Sequence, residues 1–563
     1  MQKLRYRQIH LDFHTSPHIP GIGEKFDKKR WQETLKEAAV DSITLFSKCH
    51  HGWSYHPTTV GKMHPNLSFD LLRAQYEATK EAGINAPVYL SAGVDNLASF
   101  DHPEWREVDK DGTYTGWAQR SLQAGFHMMD FHSPYLDHLC EQICEAVRLF
   151  PDCDGIFLDI ISQNQSCSRW SLEFMKANGL DPQKEEDRRE SSRLALEKYY
   201  QRTTEAAKSL RPDMPILHNS GHIPRGRHDI FPYFSHLELE SLPTGGWGYD
   251  HFPMSAKYAC NLPLDFLGMT GKFHTTWGEF GGYKHPNALR YECAAMLAFG
   301  AKCSVGDQLH PNGTLDPSTY ELIGEAYREV EAKEPWCDGA KQVFDLAILS
   351  SEAECLTHRE ALSDEGACRV LLESHFLFGL VDRTMDFNQY KALVLPDVIR
   401  IDADRCGSMR ISRPSWMPIS PKAASSSSPA KAASGRTAPN SPSIWVPPTR
   451  GSARVIRRTM SRTADTTFSC PRSNSAPPSS TCRRSCMSAR IASARHKANR
   501  WARSSTPTST APGSISAAIS TRQTSLSPPA STAPSAMERS STLPTRSSAT
   551  IAPTERLLIA SSS

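Results

Sequence analysis

Fifteen cysteines and 22 histidines occur in this chain of 563 residues, yet no Cys-x-x-Cys, His-x-His or His-Glu-x-x-His motif and no His-rich tract. These absences argue against a thiol redox motif and against the common zinc-site patterns, and no metal or cofactor is expected. Asp12 and His14 stand one residue apart, as in some metal barrels, but a pair alone does not make a ligand set. The scattered thiols read as reduced, which points to the cytoplasm. Cys140 and Cys144, one helical turn apart, read as packing residues. Cys49 beside His50 is a weaker nucleophile candidate than the carboxylates at the strand ends. No stretch is long and apolar enough to span a bilayer, and residues 1–6 lack the apolar core of a secretory leader. No Gly-x-Gly-x-x-Gly follows the first apolar run, so the dinucleotide-binding fingerprint is missing.

Acidic residues are scarce in one part only. From Ile411 onward there are 21 Lys and Arg against 3 Asp and Glu, which leaves 43 against 58 before it. The basic part is dominated by Ser, Pro, Thr, Ala and Arg. Its only aromatics are Trp416, Trp445, Phe468 and Trp501. Such a composition buries too little surface to offset chain entropy, so a disordered tail is expected. Its charge is the one indication of nucleic-acid binding, and no nucleic-acid partner is expected on other grounds. The preferred reading is out-of-frame translation of GC-rich coding sequence. Shifted GC-rich codons yield these residue types, and the preceding structural pattern breaks off near Arg410.

Up to about Trp336, short apolar runs alternate with amphipathic segments. Strands are expected at 8–13, 42–46, 86–90, 155–160, 215–218, 236–240, 266–270 and 302–305. Helices are expected at 28–38, 69–82, 134–150, 191–210, 253–260, 287–299 and 318–332; the 69–82 segment has clear helical spacing of apolar residues. The fold class is α/β: a (β/α)8 TIM barrel over residues 1–336, with a doubly wound sheet as the alternative. Apolar runs at 343–349 and 391–396, with a helix at 367–377, read as the start of an incomplete flavodoxin-like domain over 337–409. The tail takes 410–563.

Chemistry in such a barrel gathers where the strands end. Those ends carry His14; then His50, His51, Trp53 and Tyr55; then Asp159; then His218 and Asn219; then Glu238 and Glu240; then Trp277 and Glu279; and Asp307. Carboxyl groups cleave glycosidic bonds in pairs, imidazoles bond hydroxyls, and rings cover apolar sugar faces. Glu238 and Glu240 share one strand face, either toward the barrel interior or paired with Arg225 or Arg227. Each residue alone has a plain structural reading, such as a loop cap for Asp159. Their conjunction at successive strand ends points to a carbohydrate site.

These residues bring a family into view. Residues 42–53, Ser-Ile-Thr-Leu-Phe-Ser-Lys-Cys-His-His-Gly-Trp, resemble the "LTxKHHDGF" strand of family 29 α-L-fucosidases. Residues 7–17 resemble their first strand, and 155–159 their fourth. Residues 237–253 and 306–311 look closer still to glycoside hydrolase family 151, which overlaps the hypothetical glycosyl hydrolase 6 group. The resemblance covers residues 1–405. It implies a retaining, exo-acting α-L-fucosidase with Asp159 as nucleophile. His14, His50 and His51 would hold the fucose hydroxyls, with Trp53 and Tyr55 lining the pocket and Trp277 on the C5 methyl group. The acid/base would be Glu240 or Glu238, with Glu279 third; His218 and Asn219 are candidate substrate ligands from the strand-end pattern. The substrate would be a fucosylated glycoside, and intact relatives are expected to be homo-oligomers. Alternatives are a β-galactosidase-like exo-glycosidase and a carbohydrate-binding pseudo-enzyme. Gly52 departs from the family 29 motif, which has Asp there.

Overall fold

The computed structural model describes residues 4–117, 125–355, 361–399 and 443–445. The expected tail from 410 therefore lies outside the described residues, apart from the backbone of Ser443–Trp445.

Eight parallel strands make the first sheet: β1 (Arg7–Asp12), β2 (Ser42–Lys48), β3 (Val88–Ser91), β4 (Ile156–Asp159), β5 (Ile216–His218), β6 (Leu237–Glu240), β7 (Phe266–Gly271) and β8 (Lys302–Gln308). Each forms at an expected apolar run. Their spatial order is β5-β4-β3-β2-β1-β8-β7-β6. The pairing of β1 with β8, Gln8 opposite Ser304, wraps the sheet around and excludes the doubly wound alternative. The result is a nearly closed (β/α)8 barrel. Its two end strands, β5 and β6, form no ladder with each other among the described residues. They meet at the start of the seam, where Ser235 N donates to Ile216 O and Ile216 N to Ser235 Oγ, both at 2.9 Å.

Burial on both faces explains why these strands read as continuous apolar runs. Every residue of β2, β3 and β4 is buried. The helices cover the barrel with single apolar faces. In Leu71–Glu81 the buried Leu71, Leu72, Tyr76 and Ala78 recur at helical spacing, and the Asp70 side chain caps the first turn by accepting from Arg73 N at 2.8 Å. The helix Glu185–Leu210 starts earlier than its apolar pattern indicated. Its first turn, Glu185, Glu186 and Asp187, is acidic, which suits the positive end of the helix dipole. The helix Arg169–Ala177, capped by Ser168, was not anticipated.

A second sheet follows: β9 (Leu346–Leu349), β10 (Phe378–Val381), β11 (Ala392–Leu395) and β12 (Ser443–Trp445), in the order β10-β9-β11-β12. The first three are parallel, and their order matches the start of a flavodoxin-like sheet. The helix expected at 367–377 spans Leu362–Glu373, and a left-handed His375 (φ 59°) turns the chain into β10. Its last apolar residues therefore belong to the approach to a strand that the sequence reading missed. Phe378 and Leu380 join the same apolar core as Tyr258 and Phe252 of the barrel helix His251–Ala259, so the second sheet packs on the barrel. No helix among the described residues is long and apolar enough to cross a membrane.

Leu45, in β2, is 1% exposed. Leu45→Ala should lower the unfolding free energy by about 2–5 kcal/mol, the cost of lost burial plus a cavity. Chemical denaturation checks this, and a loss below about 1 kcal/mol would contradict the packing described.

Candidate active site

Two carboxylates meet above the carboxyl ends of β4 and β6. Asn219, just past β5, donates from its single Nδ2 to Asp159 Oδ1 and to Glu240 Oε2, both at 2.9 Å. Tyr89 Oη donates to Asp159 Oδ2 at 2.6 Å, and Trp277 Nε1 to Glu240 Oε1 at 2.9 Å. Burial, and then the charge of Asp159, push the Glu240 carboxyl up; the bonds from Asn219 and Trp277 pull it partly back. Burial beside another carboxylate thus favours the protonated form of Glu240.

The backbone around this pair is tightly constrained. Ile160, directly after Asp159, has φ 58°, a left-handed conformation that costs a β-branched residue about 1–3 kcal/mol. It is held by Ile161 N on Asn219 O at 2.9 Å and Asn219 N on Leu158 O at 2.7 Å. Gly93 lies against it: a Cβ there would sit 1.6 Å from the Ile160 carbonyl oxygen. Gly306 in β8 plays a similar part for Trp277, whose Cη2 would be 2.3 Å from a Cβ at that position. The indole can therefore lie over the strand and reach Glu240.

The histidines line the adjoining wall. His50 Nδ1 is 2.7 Å from Ser91 Oγ, which itself donates to Val94 O at 2.7 Å. With the serine proton committed, Nδ1 must be the donor. Nε2 is left bare, 3.8 Å from Asp159 Oδ2. Burial, then the neighbouring His14, His51, Lys48 and His10, hold His50 well below its usual value, so it is neutral. His14 stacks on His50 with centroids 3.8 Å apart. Against the penalty of burial, Asp12, 2.8 Å from Nε2, pushes His14 up to about 10. The His50 backbone N–H, aimed at Nδ1 from 3.0 Å, works the other way because it needs a lone pair there. His51 packs on Phe126 and is pushed down to about 4 by burial and by His14 and His64.

Other expected site residues stand apart from this network. Glu238 is inside the barrel but deeper, accepting from Gln8 Nε2 at 2.9 Å, with His236 Nε2 at 3.3 Å. Glu279 accepts from Thr275 N and Oγ1 and organises its own loop. His218 sits under the helix Glu185–Leu210 among Tyr199, Tyr200 and Phe234, and burial pushes it down to about 3. Tyr55 is buried, with its hydroxyl used on Phe13 O and Thr15, so it clamps the chain beside His14 instead of facing a ligand. Trp53 packs against His64. Asp307 is buried and raised to about 7, mainly by that burial. Neither glutamate of β6 pairs with Arg225 or Arg227; Arg225 meets Glu352 and Asp364, and Arg227 meets Asp229. Gly52 has φ 88°, and a Cβ there would lie 2.3 Å from Asp95 Oδ1. The Asp95 carboxylate, paired with buried Lys48 at 2.8 Å, thus takes the space of any side chain at position 52.

Sequence reasoning missed Tyr89, Ser91 and His10. The signal was alternation: Tyr89 and Ser91 share one face of β3, as Gln8, His10 and Asp12 share one face of β1. His10 is packed among Phe46, Tyr89, Phe157 and Trp277 beneath the carboxylates. It also missed Trp117 and Phe126, whose rings approach His50 from the excursion after β3. Among the described residues no three or more of His, Cys, Asp and Glu are gathered as metal ligands would be.

Residues 27–160 match the family described as Hypothetical glycosyl hydrolase 6. The structure is similar to that of α-L-fucosidase isoenzyme 2 from Paenibacillus thiaminolyticus, at 50% identity and TM-score 0.70, over 72% of this chain and 62% of that one. This chain thus spans less than two thirds of the fucosidase it matches. The fold alone is shared with Gan42B, a GH42 β-galactosidase from G. stearothermophilus (12% identity, TM-score 0.54, 71% of this chain and 69% of that one). It is shared equally with a β-galactosidase from Marinomonas ef1 (11% identity, TM-score 0.53, 73% and 74%). The chain matches none of the curated proteins. The carboxylate pair stands at the strand ends of a barrel whose residues 27–160, through β4, are similar to the hypothetical glycosyl hydrolase 6 family and which is half-identical to a solved α-L-fucosidase.

Proposed function

We propose that the chain is a retaining, exo-acting α-L-fucosidase. The observation that carries this is the Asn219 amide shared by Asp159 and Glu240. Each oxygen is 2.9 Å from that nitrogen, so the two lie within twice that distance of each other. Retaining glycosidases keep their carboxyl groups ~5–5.5 Å apart, and inverting enzymes leave ~6.5–9.5 Å for a water. The fucoside preference rests on the half-identical relative, an α-L-fucosidase by name.

In this mechanism Asp159 attacks the anomeric carbon while Glu240 gives its proton to the departing glycosidic oxygen. A covalent fucosyl-enzyme forms and the aglycone leaves as an alcohol. Glu240, now a carboxylate, takes a proton from water, which attacks the same carbon and frees Asp159. The raised Glu240 supports the acid role. The two donors on Asp159 suit the nucleophile, because they hold its oxygens in position without occupying every lone pair. His50 Nε2 is free to accept a sugar hydroxyl. His14 and His51 lie beside it, and Trp277, Trp117 and Phe126 offer apolar ring surface.

The same reading takes residues 1–336 as the catalytic domain, 337–409 as an interrupted flavodoxin-like domain, and 410–563 as an out-of-frame product. It also places the protein in the cytoplasm as a homo-oligomer when the second domain is whole. Sequencing the gene for an indel near the Arg410 codon tests the frame, and finding none removes that part.

Asp159→Asn should abolish hydrolysis of 4-nitrophenyl α-L-fucoside, and the first product of the parent should be α-L-fucose by proton NMR. Release of the β-anomer would exclude retention. Glu240→Gln should lower kcat roughly 10²–10⁴-fold on substrates with poor leaving groups. A general acid works only while protonated, so activity falls as pH rises through its pKa. Because that value is raised, the basic limb of kcat/KM should lie above the ordinary glutamate range and should vanish in Glu240→Gln. A basic limb unchanged in the variant would remove Glu240 from the role.

A further inference from the structure

Beside the carboxylate pair runs a second buried polar chain that the reaction does not use. Ser241, next to Glu240, has its Oγ 2.5 Å from His251 Nδ1. His251 Nε2 is 3.3 Å from His222 Nδ1, and His222 Nε2 is 2.9 Å from Glu352 Oε1. Glu352 belongs to the short helix Ser351–Cys355 that follows β9 of the second sheet. It also accepts from Arg225 N at 3.1 Å and pairs with Arg225 Nη1 at 3.1 Å. Asp364 Oδ2 lies 3.4 Å from the same Nη1. All six side chains are buried. A carboxylate only accepts, so with both imidazoles neutral it fixes the direction of every bond. His222 Nε2–H donates to Glu352, His251 Nε2–H donates to His222 Nδ1, and Ser241 Oγ–H donates to His251 Nδ1. Despite burial, His222 and Arg225 hold Glu352 below its usual value, so the acceptor is ionised.

The location gives this chain a purpose. His222 and Arg225 are in the loop after β5, which also carries Asn219; Ser241 directly follows β6, which carries Glu240. These are the two strands with no ladder between them. Hydrogen bonds across that seam include the Asn219–Glu240 contact itself, the His222–His251–Ser241 chain and Gly226 N on Tyr258 Oη at 2.9 Å. We propose that Glu352 of the second sheet is a positioning residue of the active site, closing the barrel seam through His222 and His251 so that Asn219 holds Asp159 and Glu240 together. This rests on the reading of Asp159 and Glu240 as the reacting pair.

Glu352→Ala and Glu352→Gln test it, assayed on 4-nitrophenyl α-L-fucoside at a temperature where circular dichroism shows both folded. The alanine variant should lose on the order of 10- to 100-fold in kcat with KM within about twofold, as misplaced catalytic groups do. Glu240 is faced by Asp159, His10, Asn219 and Trp277; a loosened seam admits water there, so the basic limb of kcat should move to lower pH. The glutamine variant keeps an oxygen for His222 Nε2–H and should stay within about threefold of the parent, a fraction of the energy of one hydrogen bond. A folded alanine variant with the parent's kcat and pH limb overturns the proposal. If Glu352→Ala does not fold, Ser241→Ala decides: the same limb shift supports the chain, and parental behaviour overturns it. A crystal structure of the folded variant reads the geometry without turnover. It should put Asn219 Nδ2 beyond hydrogen-bonding distance of Glu240 Oε2, and an intact bond refutes positioning. Absence of any fucoside hydrolysis by the parent would instead count against the function, and the variant's structure would still judge the seam.

Discussion

One amide nitrogen between two carboxylates, Asp159 buried and Glu240 half-buried, sets the conditions for the rest of this barrel. Asp159 and Glu240 repel when both are charged, and neither has much water to screen it. Asn219 Nδ2 draws one oxygen from each toward a common point. The arrangement is useful only if Glu240 carries a proton, and burial beside Asp159 favours that. The same close approach that is costly in a core is what a two-carboxylate reaction requires.

The surroundings hold that geometry. A strained Ile160 aims β4, and the absent side chain of Gly93 leaves room for its carbonyl. Gly306 lets Trp277 fold over β8 to reach Glu240. Ser91 fixes the His50 tautomer so that a bare nitrogen faces the pocket. Strain and missing side chains are weak features for folding in isolation, and their concentration around one pair is characteristic of a site whose stability is supplied by the packed barrel beneath it. The seam between β5 and β6 is the place where the barrel itself contributes least, and the second sheet packs on the loops there.

Much of this was legible in the sequence because parallel barrel strands bury both faces and so appear as apolar runs. All eight appear at the expected positions, and the strand-end residues Asp159, Asn219, Glu240, Trp277, His14, His50 and His51 converge. What failed has a common cause: a strand-end position does not say which way a side chain points. His218 and Glu238 sit at such positions, yet one lies in the aromatic layer under a helix and the other deep in the barrel. Tyr55 looked like a pocket wall and is a clamp, because its hydroxyl finds Phe13 O, a contact set by tertiary geometry. Tyr89 was overlooked because a tyrosine in an apolar strand looks like core until its partner on the neighbouring strand β4, Asp159, is known. The β10 strand was missed because the apolar residues leading into it, Phe376 and Leu377, continue the preceding helix's own pattern.

The central claim is that Asp159 forms a covalent bond to the sugar while Glu240 manages the proton. Incubation with 2-deoxy-2-fluoro-α-L-fucosyl fluoride, followed by peptide mass spectrometry, tests this most directly. The fluorine slows both steps and the good leaving group restores the first, so the intermediate accumulates. The account predicts a fluorofucosyl adduct on the peptide containing Asp159, at that residue. An adduct on Glu240, or hydrolysis of the fluoride with no adduct, would contradict it.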